Sequence, residues 1–291
     1  MMISCILLIS MLLKPAPAIA GPSPAPETAR TEFEAGNYSA AVKTLTTALL
    51  EAPQDASLHY WALRSYYELQ DYGNAVTHGE KAVKLDPQNA EYNRWLGRAY
   101  GGKAEQSRSF FLARKVKQAF EAAVRFAPWN IAARRDLMQY LVEAPWIVGG
   151  DKQKAREQIQ AISEIDPIEG RLARAAYFAA DKKWKEAEAE YDAVLNAPPH
   201  GMETYMEAAQ FFADRQDVQH LERVVEAARR VDPKDPRLDY YSAVSLILRR
   251  SDFATAEKLL RSYLANVPQR SDYPSHNSAR EWLKLQRQVS Q

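Results

Sequence analysis

One stretch of this chain has residue types that suggest phosphate chemistry: Glu143 to Ala155, EAPWIVGGDKQKA. Two adjacent glycines followed by Asp151 and Lys152 at the start of a helix resemble an anion-binding loop. The spacing G-x-x-x-x-G-K-[ST] is absent, no strand precedes the loop, and no Ser or Thr follows the lysine. Asp151 also stands where its own carboxylate can cap the free N–H groups of the helix. The stretch is therefore predicted to be an enlarged turn rather than a phosphate site.

Other catalytic and metal-binding patterns are missing from the sequence. The five histidines form no H-E-x-x-H pair and have no cysteine partner; they are His59, His78, His200, His220 and His276. No G-x-S-x-G, G-x-G-x-x-G or paired-carboxylate signature stands out. We therefore predict no catalytic residue, no metal ligand and no cofactor, and we expect a protein that is not an enzyme.

The N-terminus has the features of an export signal. Its apolar run, Ile3 to Leu13, is too short to span a bilayer, and small residues at Ala18 and Ala20 suit a cleavage site. We predict a signal peptide at 1–20, a Pro/Ala-rich linker at 21–30, and a periplasmic or secreted protein after cleavage near Ala20. Cleavage would remove Cys5, the only cysteine, and Lys14. The remaining chain would carry 37 basic and 37 acidic residues, a balance that gives no bulk attraction to nucleic acid.

Prolines recur along the rest of the chain at intervals of 34, 41, 39, 32, 34 and 35 residues, and nearly all follow an apolar-periodic helix pattern. They are Pro53, Pro87, Pro128, Pro167, Pro199, Pro233 and Pro268. The residue 12 positions before each proline is small or apolar, and the residues 8 and 5 positions before it lie on the same helix face. Ala41, Leu45 and Ala48 are the first such set, and Leu96-Gly97-Arg98-Ala99-Tyr100 adds an L-G-x-x-Y spacing.

With these offsets the chain resembles the tetratricopeptide repeat (TPR) family, whose period is about 34 residues. The resemblance implies an all-α, right-handed superhelical solenoid of about seven helix pairs. We expect the array at 31–268 and a C-terminal capping helix and tail at 269–291, with Trp282, Leu283 and Leu285 facing inward. The Trp146 loop also resembles one in exported bacterial repeat proteins of unassigned activity.

The resemblance further implies that the first helix of each pair lines a concave face. The positions that correspond are rich in arginine and aromatic residues, which favours an extended, acidic protein segment as the ligand. They are Tyr60, Arg64, Tyr67, Arg94, Arg98, Arg135, Gln139, Arg171, Arg174, Phe178, Arg237 and Tyr240. The predicted function is a protein-binding scaffold.

A second surface arises from two insertions, which lengthen the third and fourth periods. Phe110 and Phe111 in one and Trp146 in the other are predicted to build a raised rim, which here means these three residues. We expect Trp146, Ile147 and Val148 to fold back over the helices, with contact to a partner as the alternative. In the alternative function, the chain is a structural arm or subunit of a cell-envelope assembly that docks through the rim.

Overall fold

The computed structural model describes residues 27–289, so the predicted signal peptide and residues 21–26 of the predicted linker lie outside the described residues. Between Glu27 and Val289 the chain is all-helical, with seven consecutive helix pairs and a final helix, as predicted. The helices are α1 Glu27–Glu34, α2 Tyr38–Glu51, α3 Ala56–Glu68, α4 Tyr72–Leu85, α5 Ala90–Ser107, α6 Phe110–Phe126, α7 Ile131–Glu143, α8 Lys152–Ile165, α9 Pro167–Ala180, α10 Trp184–Leu195, α11 Met202–Asp214, α12 Val218–Val231, α13 Arg237–Leu248, α14 Phe253–Asn266 and α15 His276–Val289. Helix α1 thus begins within the range predicted as linker. None of these helices has the length and apolarity needed to cross a membrane.

The boundaries between pairs follow from the proline turns. After Pro53 and Pro87 the chain makes a short turn, and the next helix begins with a capping side chain. Asp55 accepts hydrogen bonds from the amides of Ser57 and Leu58 at 2.8 and 3.2 Å. Such caps satisfy N–H groups that have no partner within the helix and fix where it starts.

Within six of the seven pairs, the turn contains a residue with positive φ one or two residues after the end of the first helix. These residues are Gly36, Gln70, Arg108, Lys182, Gln216 and Arg250, and the seventh turn has a second one, Asp252. The fourth pair departs from this scheme, because a short 3₁₀ helix, Trp146–Val148, lies between α7 and α8. This 3₁₀ helix ends at Gly149, which has a φ of 104°.

The core lies between the helices of each pair and of its neighbours. The predicted small or apolar position of every second helix is buried, including Ala41, Ala75, Ala155, Ala187 and Ala256 with no exposed surface. At Gly79 an added Cβ would come within 2.9 Å of Leu96, so the absence of a side chain lets two helices approach closely. The repeated offsets therefore predicted the packing seam correctly.

The predicted capping helix is present as α15, which packs on α13 and α14. Its buried stripe is Ala279, Leu283 and Gln286. Leu285, predicted to face inward, is 36% exposed, because a residue two positions after Leu283 points to the opposite side of the helix from this stripe.

The segment between α14 and α15 returns to the beginning of the array. Pro268 Cβ would lie 2.3 Å from a Cβ placed on Gly36, in the turn between α1 and α2. Ser271 binds Glu68, the last residue of α3. The described array therefore closes into a ring, a feature that the sequence did not predict.

Candidate functional site: a central groove

A groove of about 1320 Å³ lies along the first helices of the third to seventh pairs. We call it the central groove. Its walls include α5, α7, α9, α11 and α13, and the segment Ser271–Ser275 completes them. Of the predicted ligand-binding residues, the groove contains Arg94, Arg98, Arg135, Gln139 and Arg237.

Arg94 and Arg98 both bind one carboxylate on the neighbouring first helix. Arg94 Nε donates to Asp136 Oδ2 at 2.8 Å, and Arg98 donates to both oxygens of Asp136 at 2.8 Å. Burial disfavours the charge on Arg98, but the bond to Asp136 keeps the pKa of its guanidinium above the usual value. Asp136 therefore joins α7 to α5. It was not among the groove residues predicted from the sequence.

Arg135 continues this arrangement toward the next two first helices. Its guanidinium donates to Glu169 on α9 at 3.1 Å and forms a short hydrogen bond to Glu207 on α11. Burial raises the pKa of the Glu207 carboxyl, against the opposing effect of Arg135. Burial also raises the pKa of Tyr191, whose hydroxyl donates to Glu207. The pair is thus partly buried, with about a quarter of each side chain exposed to the groove.

Arg237 is the most buried of the groove arginines, with 3% of its surface exposed. It donates to both oxygens of Asp235, at 2.9 and 2.7 Å, and to Glu203 on α11 at 2.8 Å. Tyr273 lies in the segment between α14 and α15, here called the closing segment, and packs against Arg237 with its ring centroid 4.6 Å from the guanidinium carbon. Arg237 therefore joins α11, α13 and the closing segment.

The expectation of an acidic ligand is not supported by the charge of the groove. Four arginines line it, and all four are paired with carboxylates of the chain itself. Seven carboxylates line it as well: Glu143, Asp166, Glu169, Glu203, Glu207, Asp214 and Asp272. Carboxylates therefore outnumber the arginines, and a cationic ligand group suits the groove better than an anionic one.

Arg171 and Arg174, predicted to line the groove, face the second helices instead. Both bind Glu190 on α10, at 3.1 and 2.9 Å, and Arg174 also donates to Ser163 on α8. The reason is local: α9 begins at Pro167 itself, whereas the preceding first helices begin three residues after the corresponding proline. The phase counted from the proline is therefore wrong for α9, and Glu169, Leu172 and Ala176 face the groove instead.

The predicted residues of the second pair form an aromatic cluster outside the central groove. The guanidinium carbon of Arg64 lies 4.6 Å from the ring centroids of Phe33 and Trp95. Tyr60 stacks on Tyr92 at 4.9 Å, and burial raises its pKa to about 12. Tyr67 makes edge contacts with Tyr72 and Trp95. These side chains mainly hold α3 against its neighbours.

Two further predicted groove residues belong to the core rather than to a binding face. Tyr240 is 3% exposed and packs against Tyr241 and Tyr263. Phe178 is half-buried and makes an edge contact with Tyr177. Neither side chain lines the groove.

The structure exposes the rim. Phe110 is 68% exposed, Phe111 69% and Trp146 84%. Of the apolar residues expected to cover the helices, only Val148 is buried, while Ile147 is 52% exposed. The three residues form a single 3₁₀ turn, which directs only Val148 inward. The prediction that Trp146 and Ile147 also cover the helices is therefore wrong.

The loop that resembles a phosphate site is a structural turn, as predicted. An added Cβ on Gly150 would lie 1.8 Å from the Ala144 carbonyl oxygen, so only glycine fits there. Asp151 accepts hydrogen bonds from the amides of Gln153 and Lys154 at 3.0 and 3.1 Å. The N–H groups that an anion would use are thus already bound.

One group of described residues has metal-ligand character. Side-chain atoms of Glu188, Asp192 and His220 lie within 4.8 Å of one another. His220 also binds Asp217 at 2.7 Å, and Arg223 donates to Asp192 at 3.0 Å. These ion pairs account for the cluster, and we assign no metal to it.

Comparison with known proteins agrees with the geometry. The family model described as "Tetratricopeptide repeat" matches residues 27–90 and 64–114. A tetratricopeptide repeat protein from Parabacteroides merdae aligns with a TM-score of 0.57 and 12% identity, covering 90% of this chain and 96% of its own. A thermophilic TPR protein from Thermus thermophilus aligns with a TM-score of 0.51 and 21% identity, covering 64% and 95%. No curated protein matches the sequence.

These likenesses concern the fold, and they agree with the seven helix pairs and with the proline period. The match of the family model covers the first pairs, and the later pairs repeat the same offsets and packing. Residues 27–114 therefore match the tetratricopeptide repeat family, and the similar solved structures show that the array has the tetratricopeptide repeat fold.

Proposed function

We propose that this chain is a non-enzymatic scaffold that binds an extended segment of another protein in the central groove. TPR proteins generally mediate protein–protein interactions. The observation that carries the proposal is the groove itself, which has about 1320 Å³ of space and a lining that alternates charged pairs with apolar side chains. Met138, Val142 and Phe211 supply apolar contacts along it.

The charges of the groove favour a ligand with basic side chains. Glu143 and Asp214 accept hydrogen bonds only from the neutral amides of Gln139 and Gln210 and form no ion pair with a described residue. A lysine or arginine of the ligand would find a charged partner there without breaking an internal pair. An acidic ligand would have to displace the carboxylates already bound to the arginines.

Selection of peptides from a random library tests this function. Ala179→Trp places a large side chain in the groove without touching the ion pairs, and the matched control Ala189→Trp places it on the exposed surface of α10. Basic extended peptides should bind the wild type and the control, and lose at least about tenfold in affinity for Ala179→Trp. Peptides that bind all three proteins equally, or that are uniformly acidic, would contradict the proposal.

The second candidate is a structural arm of a cell-envelope assembly, docked through the rim. It is supported by the exposure of Phe110, Phe111 and Trp146, because large apolar side chains grouped at one surface mark interaction sites. Export to the envelope is part of this candidate. The mass of the protein recovered from a host envelope fraction tests export. A mass that includes residues 1–20 would contradict cleavage near Ala20.

A further inference from the structure

The rim lies on a projection from the edge of the array. Helix α5 has 18 residues, whereas the first helices α3 and α7 have 13 each. Five additional residues lengthen a helix by about 7.5 Å. Phe110 and Phe111 are the first two residues of α6, immediately after this extension, so they lie at its tip.

The turn of the next pair adjoins the projection. Arg114, one helical turn after Phe110, donates to the carbonyl oxygen of Ile147 at 3.4 Å. The Tyr140 hydroxyl lies 2.7 Å from the Ala113 carbonyl oxygen and 2.8 Å from that of Val148, and it can donate its one proton to either, which holds the 3₁₀ helix against α6. Trp146 and Ile147 therefore belong to the same exposed apolar surface as the tip of the projection.

Positive charge is concentrated around this surface. Residues 101–117 contain five basic residues and one acidic residue, Glu105, in a chain whose formal net charge is +1. Lys115 pairs with Glu80 at 3.0 Å and Lys117 with Glu121 at 3.8 Å. Lys103, Arg108 and Arg114 form no ion pair with any described residue.

We propose that the rim binds the surface of a membrane that contains anionic lipids, with its aromatic side chains inserted among the headgroups. Exposed Phe and Trp side chains flanked by unpaired cations are the combination that interfacial membrane binding requires. A projection of about 7.5 Å also matches the depth of roughly 5–10 Å to which such surfaces penetrate. This inference rests on the second candidate function, since it names the partner of the rim, and it does not depend on the groove.

Vesicle flotation tests the inference, using the chain from Gly21, which retains all of the described core. The wild type should float with vesicles of equal parts phosphatidylglycerol and phosphatidylcholine, and much less with phosphatidylcholine alone. The variant Phe110→Ser/Phe111→Ser/Trp146→Ser should lose at least about tenfold in partitioning. Trp129→Ser is the matched control: Trp129 is 70% exposed but follows the other end of α6, so binding should be unchanged.

A charge variant separates the electrostatic contribution. Arg108→Glu/Arg114→Glu should abolish binding to the anionic vesicles. The control Lys185→Glu/Lys234→Glu reverses two exposed cations outside the rim and should retain most of the binding. Circular dichroism must show equal helicity for all variants. Three outcomes would overturn the proposal: a wild type that binds no vesicle, equal binding by the aromatic variant, and binding only to an envelope protein through the same residues. Peptide binding in the groove is measured separately, so failure of one function leaves the other intact.

Discussion

Ser271 binds the carboxylate of Glu68 through two hydrogen bonds, although 203 residues separate the two in the chain. The Ser271 amide donates to Oε2 at 2.8 Å, and the hydroxyl donates to Oε1 at 2.7 Å. These bonds hold the segment before α15 against the end of α3 and close the ring. The segment also carries Tyr273 into the wall of the central groove, so closure of the ring and the shape of the groove are connected.

Glu68→Ala should loosen this closure without unfolding the array. The bonds are exposed to solvent, so their loss should cost about 1 kcal/mol of local stability, which corresponds to about fivefold faster amide exchange in the segment 268–275. Hydrogen exchange followed by mass spectrometry measures this. Glu143→Ala removes another exposed carboxylate and should leave the segment unchanged; equal protection in both variants would mean that other contacts close the ring.

Gly150→Ala should be among the most destabilising single-methyl additions in the chain. The new Cβ would clash with the Ala144 carbonyl oxygen, a backbone atom that cannot move without disturbing the turn. We expect a loss of about 2–4 kcal/mol in the free energy of unfolding. Gly101→Ala is the matched control, because it lies inside α5 with nothing within 4 Å of the added carbon. It should gain about 0.5–1 kcal/mol, and urea denaturation of both variants measures the contrast.

Some of this structure follows from the sequence, and some does not, for physical reasons. The proline turns and the small residues before them act locally, so they predicted the helix pairs and their seam. The groove arginines were identified, but their partners lie on neighbouring helices: Asp136 is 42 residues from Arg94, and Glu207 is 72 from Arg135. Arg171 faces the second helices because α9 begins at Pro167 itself. The number of residues after Pro167 does not reveal where the helix begins, so the sequence could not predict this orientation. Ring closure depends on the summed geometry of all seven pairs.

The histidine pair should make stability depend on pH. His59 Nε2 lies 3.2 Å from the Pro53 carbonyl oxygen, which makes it the donor there, so His59 Nδ1 accepts a hydrogen bond from His78 Nδ1 at 2.9 Å. Burial, with a smaller effect of His59, lowers the pKa of His78 to about 4, and burial also lowers the pKa of His59. Between pH 4 and 6.5 the unfolded chain binds more protons at His78 than the folded chain does, so stability must fall as the pH falls.

The variant His78→Leu should remove most of this dependence. We expect the wild type to lose about 1–2 kcal/mol relative to the variant between pH 6.5 and 4, a value reduced for the partial exposure of His78. Urea midpoints measured across this range for both proteins give the difference. His276→Gln removes a histidine from the C-terminal helix and should retain the wild-type slope; the same slope in all three proteins would exclude the pair as its source.

Arg135→Met should destabilise the protein far more than loss of an exposed arginine would. It leaves the partly buried Glu207 without this cation, and burial already raises the pKa of that carboxyl. We expect a loss of about 2–3 kcal/mol, less than for a fully buried pair because both side chains are partly exposed. The double variant Arg135→Met/Glu207→Gln removes the unpaired charge as well and should recover at least half of that loss. Thermal and urea denaturation of the two variants decide the matter: equal stability would mean that the pair is solvated, and that Arg135 is free to receive an acidic ligand after all.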